Sequence, residues 1–117
     1  MADALIDTDV FVDHLRGARS LSSIRRGSYS SITRAELFAG PEDQEILVEG
    51  ILLSYTEIPV DRSIAQRAGR IRRVTRLPIP DAVIAATALE RGLDLVTRNA
   101  RDFMKVSGLT VRDPTAM

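Results

Sequence analysis

Four short segments each set an acid or an amide against apolar neighbours: Asp7 after ALI, Glu36 within RAELF, Asp81 ahead of AVIAATAL, and Asn99, with Asp102 three residues on, after LDLVT. If these segments converged, their carboxylates would repel one another, and protons or cations would have to neutralise them. The chain has no cysteine and a single histidine, His14, which leaves no thiolate or histidine-rich zinc site. Hard oxygen donors of this kind suit Mg²⁺ or Mn²⁺. Such a cation lowers the pKa of an attacking water and offsets charge on phosphoryl oxygens, which is the chemistry of phosphodiester hydrolysis.

Each of these residues also has a plain structural reading. Asp81 can serve as the N-cap of the helix it precedes. Asn99 and Asp102 have the spacing of a capping box. Glu36, taken alone, reads as a solvated helix charge, Asp9 and Asp13 as first-turn and surface charges, and His14 as an exposed helix residue. The conjunction of acids, not any single one, points to a metal site.

The elements that must bring them together follow from apolar patterning and breakers. ALI (4–6) reads as a strand and VFVDHL, before Gly17, as a helix. SYSSIT (28–33) has strand composition, RAELFAG (34–40) makes a helical turn or two, and a helix resumes through EDQEILVEGILLSY after Gly40-Pro41. TEIPV (56–60) is a strand that Pro59 confines to an edge. Ile64, Ala68, Ile71 and Thr75 share one face of a helix whose remainder carries arginines. A buried helix over 81–91 ends at Gly92, a strand covers 93–97, NARDFMKV is a short helix, and LTVR (109–112) is a last strand. Strands alternating with helices predict a parallel sheet covered on both sides, with loops at the carboxyl ends of the strands meeting in a crevice. Every candidate acid falls at that end.

At 117 residues and 44% hydrophobic content, the chain is expected to form one domain, 1–117. No apolar run approaches the roughly 18 residues of a membrane span. The N-terminus carries Asp3, Asp7 and Asp9 in place of a basic and then apolar leader. A soluble, cytoplasmic protein is expected. The formal net charge of zero conceals segregation: Arg16 to Ala35 holds five arginines and no acid, Arg62 to Pro80 six arginines and no acid, and Glu36 to Asp61 seven acids and no base. Basic stretches beside an acidic site fit a polyanionic substrate, and the planar guanidinium fork binds phosphate oxygens in pairs.

Taken in order, LIDTDVFVD, SSITRAELFAG, PDAVIAATAL and LDLVTRNARDF closely resemble the PIN-domain family, and within it the VapC-type toxins of bacterial toxin–antitoxin pairs. The resemblance spans almost the whole chain. It implies a three-layer α/β/α sandwich around a central parallel sheet of four to five strands, and an endoribonuclease that uses Mg²⁺ or Mn²⁺. It also implies a homodimer and a small cognate antitoxin. By position, Asp7 and Asp81 would be metal ligands, and Glu36 would hold or activate the attacking water. Thr8 would orient Asp7. The family's fourth acidic position falls at Asn99, an amide, which lowers the expectation of a tightly held second ion, and Asp102 is the residue placed to compensate. Arg34 and Arg98 are the candidate RNA contacts. The segment between Gly40 and Thr56 leaves little room for the paired helices of larger members.

Two other readings stand beside this one. A phosphoryl-accepting receiver domain would need an acceptor Asp after the third strand and a Lys after the fifth, whereas here Asp61 follows the third strand and the only lysine, Lys105, precedes the last. A degenerate PIN module would bind RNA or a partner without cutting it.

Overall fold

A computed structural model describes residues 3–21, 24 and 26–116. The chain runs β1 (Ala4–Ile6), α1 (Thr8–Leu15), β2 (Gly27–Ser30), α2 (Ser31–Phe38), a 3₁₀ turn (Glu42–Gln44), α3 (Glu45–Leu52), β3 (Thr56–Ile58), α4 (Arg62–Thr75), α5 (Ile79–Arg91), β4 (Asp94–Val96), α6 (Ala100–Phe103), β5 (Val111–Arg112) and a closing 3₁₀ turn (Pro114–Ala116). All five strands are parallel, in the order β3-β2-β1-β4-β5. As expected, the strand before Pro59 is an edge.

Alternation along β1 divides the core. Leu5 faces the layer formed by α4 and α5, with Leu95, Ile64, Ala68, Ile84 and Phe103. Ala4 and Ile6 face the other layer, with Phe11, Tyr29, Val48, Leu52 and Val96. Successive side chains of a strand point to opposite faces, so one central strand supplies both cores of an α/β/α sandwich. The strand order reverses between β1 and β4, and connections leaving their carboxyl ends diverge to open a crevice.

Ala82 to Ala88 of α5 are all buried, and Thr87 satisfies its hydroxyl by donating to the Val83 carbonyl at 2.7 Å. Gly92, at φ 64°, ends the helix in the left-handed region that glycine adopts without a Cβ penalty. Among the described residues no helix is long and apolar enough to cross a membrane.

Several boundaries differ from the sequence reading. The second strand ends at Ser30, not Thr33, because the Ser30 hydroxyl accepts the Ile32 N–H at 3.1 Å and starts α2 at Ser31. α5 begins at Ile79 behind Pro78, so Asp81 is its third residue and not its N-cap. Pro80 fits the first turn, where a missing N–H leaves no bond unmade. The last strand is only Val111–Arg112, and one helix, α3, fills the span before β3.

Gly27, on β2, has no room for a side chain: a Cβ there would stand 2.6 Å from Ile6 Cδ1 and 3.1 Å from Tyr55 Cδ1. Ile6 is fully buried. Gly27→Ala is therefore expected to destabilise the protein by about 1–3 kcal/mol, as overpacking does. Urea unfolding would check this, and an unchanged midpoint would show that the core yields freely at this point.

Candidate active site

Asp7 leaves the end of β1 with its N–H donated to the Val96 carbonyl of β4 at 2.9 Å, which fixes the residue to the centre of the sheet. It is also the N-cap of α1: Oδ1 accepts the Thr8 N–H at 2.8 Å, and Oδ2 accepts the Thr97 hydroxyl at 2.7 Å. Thr97 is buried just past β4, and its oxygen accepts the Asn99 N–H at 2.9 Å. Only 5% of Asp7 is exposed. Burial first, and then the charge of Asp9, push its carboxyl from 3.8 up to about 7, against the opposing hydrogen bonds from Thr97 and Thr8.

Asp9 and Asp81 are also held above the ordinary carboxylate range. For Asp9 the main cause is burial, countered by Arg98. For Asp81, in the first turn of α5, burial comes first, followed by the charges of Glu36, Asp9 and Asp102. Glu36 reaches in from α2, exposed, with Oε1 accepting the Thr8 hydroxyl at 2.7 Å. Asn99 completes the wall beyond β4. These groups line a cleft of about 390 Å³, with Arg16 and Arg98 as its cations.

The structure thus brings Asp7, Thr8, Glu36, Asp81, Asn99 and Arg98 together, as the sequence reading anticipated. Asp102 stands behind the wall, where its Oδ2 accepts the Asn99 side-chain N–H at 3.0 Å. Asn99 occupies the N-cap position of α6 but makes no side-chain cap bond, so the capping-box reading fails. Arg34 lies off the cleft. Its Nε donates to Glu57 at 2.8 Å, it pairs with Glu49 and the Tyr29 hydroxyl, and it covers the Phe38 ring.

Three positions read as surface or exposed are not. Asp9 lines the cleft. Asp13 is buried, with Oδ2 2.9 Å from Nε of Arg98. His14 is half-buried, its Nδ1 accepting the Leu21 N–H at 3.1 Å. Sequence reasoning also missed Thr97 and Arg16. The signal for Asp9 was its place two residues after Asp7, in the first turn of a helix that starts at the crevice, and for Thr97 a hydroxyl at the exit of a buried strand.

The donors are carboxylates, an amide and a hydroxyl, all hard oxygen chemistry, and burial with mutual repulsion raises the Asp7, Asp9 and Asp81 carboxyls; the set fits Mg²⁺ or Mn²⁺. Among the described residues no three acidic or histidine side chains are close-set enough to grip an ion as they stand. A larger groove of about 570 Å³ runs along α4 and α5, lined by Arg67, Arg70, Val74, Leu89 and Lys105. Its one acid, Glu90, is tied to Arg67 at 2.5 Å. The acids Asp7, Asp9, Glu36 and Asp81 line the smaller cleft instead.

Comparison with known proteins bears on the family and the fold. A family model described as PIN domain matches residues 4–109. The chain is 34% identical over 113 residues to Ribonuclease VapC19 of Mycobacterium tuberculosis, covering 85% of this chain and 90% of that protein. It is 33% identical over 112 residues to the tRNA(fMet)-specific endonuclease VapC of Salmonella typhimurium, covering 86% and 84%. Among solved structures, DNA-bound VapBC from Salmonella typhimurium superposes with a TM-score of 0.85 at 28% identity, covering 97% of this chain and 98% of that one. A toxin–antitoxin complex from Klebsiella pneumoniae superposes with a TM-score of 0.79 at 31% identity, covering 92% and 95%.

Proposed function

Because the chain belongs to the PIN-domain family, we propose that it is an endoribonuclease, the toxin of a toxin–antitoxin pair, acting as one domain over 1–117 with Mg²⁺ or Mn²⁺. The observation that carries the reading is the convergence of Asp7, Asp9, Glu36 and Asp81 on one cleft, with the Asp7 carboxyl pushed to about 7. Asp7 and Asp81 would hold the ion, which when bound supplies charge neutralisation and an acidified water. Glu36 would orient the attacking water or accept its proton. Thr8 and Thr97 fix Glu36 and Asp7 through the hydroxyl contacts described above. Arg98, itself neutralised in part by Asp13, and Arg16 face the position an RNA phosphate would take.

Incubation of purified protein with a pool of structured RNAs, in Mg²⁺, Mn²⁺ or EDTA, tests this reading. Cutting that persists in EDTA would overturn it. Asn99 favours one rival, a PIN module that binds RNA without cleaving it, and absence of cutting by folded, antitoxin-free protein would support that rival.

Asn99→Asp probes the fourth position. It would set a second carboxylate against Asp102, where an amide N–H now donates at 3.0 Å. Without metal the variant is expected to lose about 1 kcal/mol of stability at pH 8, and Mn²⁺ is expected to restore it. Thermal melts with and without Mn²⁺ provide the check.

We propose a small antitoxin as partner, consistent with the toxin–antitoxin complexes among the structural neighbours. A groove of about 530 Å³ beside α3 presents Leu21, Ile24, Ile46, Leu47 and Ile51. Ile46 and Leu47 are 87% and 59% exposed, an apolar surface that a partner would cover. A homodimer and a cytoplasmic location complete the proposal.

A further inference from the structure

Thr33 is fully buried in α2, three residues before Glu36 and so on the same helix face. Its hydroxyl lies 2.9 Å from that of Thr8, and the Thr8 hydroxyl in turn donates to Glu36 Oε1 at 2.7 Å. Proton accounting fixes the direction of this chain. A carboxylate only accepts, so the single Thr8 proton goes to Glu36, and the Thr8–Thr33 contact can form only if Thr33 donates. The order is Thr33 to Thr8 to Glu36.

We propose that Thr33 is a positioning residue for Glu36, acting through Thr8 and touching neither substrate nor ion. Glu36 is exposed and would otherwise sample many rotamers. A Thr8 hydroxyl whose lone pair is already engaged has its proton directed at Oε1. That anchors one carboxylate oxygen and leaves the other for the cleft. The inference rests on the reading of Glu36 as a group that serves the ion's water, and it adds a buried residue outside the cleft lining.

Thr33→Val keeps the shape and removes the donor, whereas Thr33→Ser keeps the donor. The measurement is the Mn²⁺ concentration that gives half the metal-linked rise in Tm, alongside kcat and KM for RNA cleavage. Thr33→Val is expected to raise the half-effect concentration and lower kcat, each by roughly tenfold, with KM for RNA unchanged and with Thr33→Ser close to the parent. In a Glu36→Gln background, Thr33→Val is expected to leave the Mn²⁺ response where Glu36→Gln alone sets it.

An equal shift in both backgrounds, or no shift in the parent background, overturns the proposal. A parent protein whose Tm ignores Mn²⁺ overturns both the metal reading and the relay. A parent that responds to Mn²⁺ but does not cut RNA overturns the nuclease reading alone.

Discussion

Asp7→Asn is expected to abolish RNA cleavage, with a loss on the order of a thousandfold or more in kcat, and at the same time to make the metal-free protein more stable at pH 8. The stabilisation follows from the titration of the group. Asp7 titrates near 3.8 when unfolded and about 7 when folded, so the folded state holds the proton more tightly. Its favourable contribution is complete below pH 3.8 and is lost as pH rises through about 7. A shift of about three units at roughly 1.4 kcal/mol per unit sets an upper bound of about 4 kcal/mol on what the ionised carboxylate costs above that range. Asn removes the charge and keeps the bonds: its Oδ1 accepts the Thr8 N–H, and its Nδ2 donates to Thr97, whose hydroxyl is free to reverse. The Tm advantage of Asp7→Asn over the parent should therefore grow from pH 5 to pH 8 and shrink when Mn²⁺ is added, because Mn²⁺ stabilises only the parent. A variant that cuts at the parental rate would remove Asp7 from the site. An advantage independent of pH would show that the carboxyl is not strained by burial.

Phe11→Ala should cause the largest loss of stability, about 3–5 kcal/mol. Phe11 is fully buried on α1 and meets Tyr29 and Tyr55 edge-on, at 5.9 Å and 5.6 Å between ring centroids. Removing it leaves two rings without the partner on which both converge, in addition to the cavity. Against the 5–15 kcal/mol typical of a small domain, such a loss would bring the protein close to unfolding at 37 °C. Equilibrium urea denaturation gives the value, and Phe11→Leu, which fills part of the volume, should recover a substantial part of it. A loss below about 1 kcal/mol would mean that α1 repacks over the gap.

What was legible in the sequence was whatever local pattern controls. Apolar runs ending at Gly17 and Gly92, and Pro59 after TEI, fixed the alternation of elements and put β3 at an edge. Placing Asp7 at a strand end, and Glu36 and Asp81 in helices that start at the same end of the sheet, was enough to gather the three. What was not legible depends on which neighbour arrives from elsewhere. Asp13 is buried, and its partner Arg98 arrives from beyond β4. Arg34 reads as a free cation until β3 and α3 deliver Glu57 and Glu49. Asp81 reads as a cap because a Pro-initiated helix can begin before its first acid. The roles of Thr33 and Thr97 are invisible locally, since a threonine beside a strand carries no mark of whom its proton will serve.

The bond from Thr97 to Asp7 joins residues 90 apart in sequence, which bears on when the cleft comes into being. A growing chain that has emerged only through α4 carries Asp7 and Glu36, but it has neither β4 beside β1 nor Thr97 to receive the buried carboxylate. Contacts of such separation are slow to close and form after the local helices. The acidic cleft is therefore complete only once β4 has been synthesised and has paired with β1.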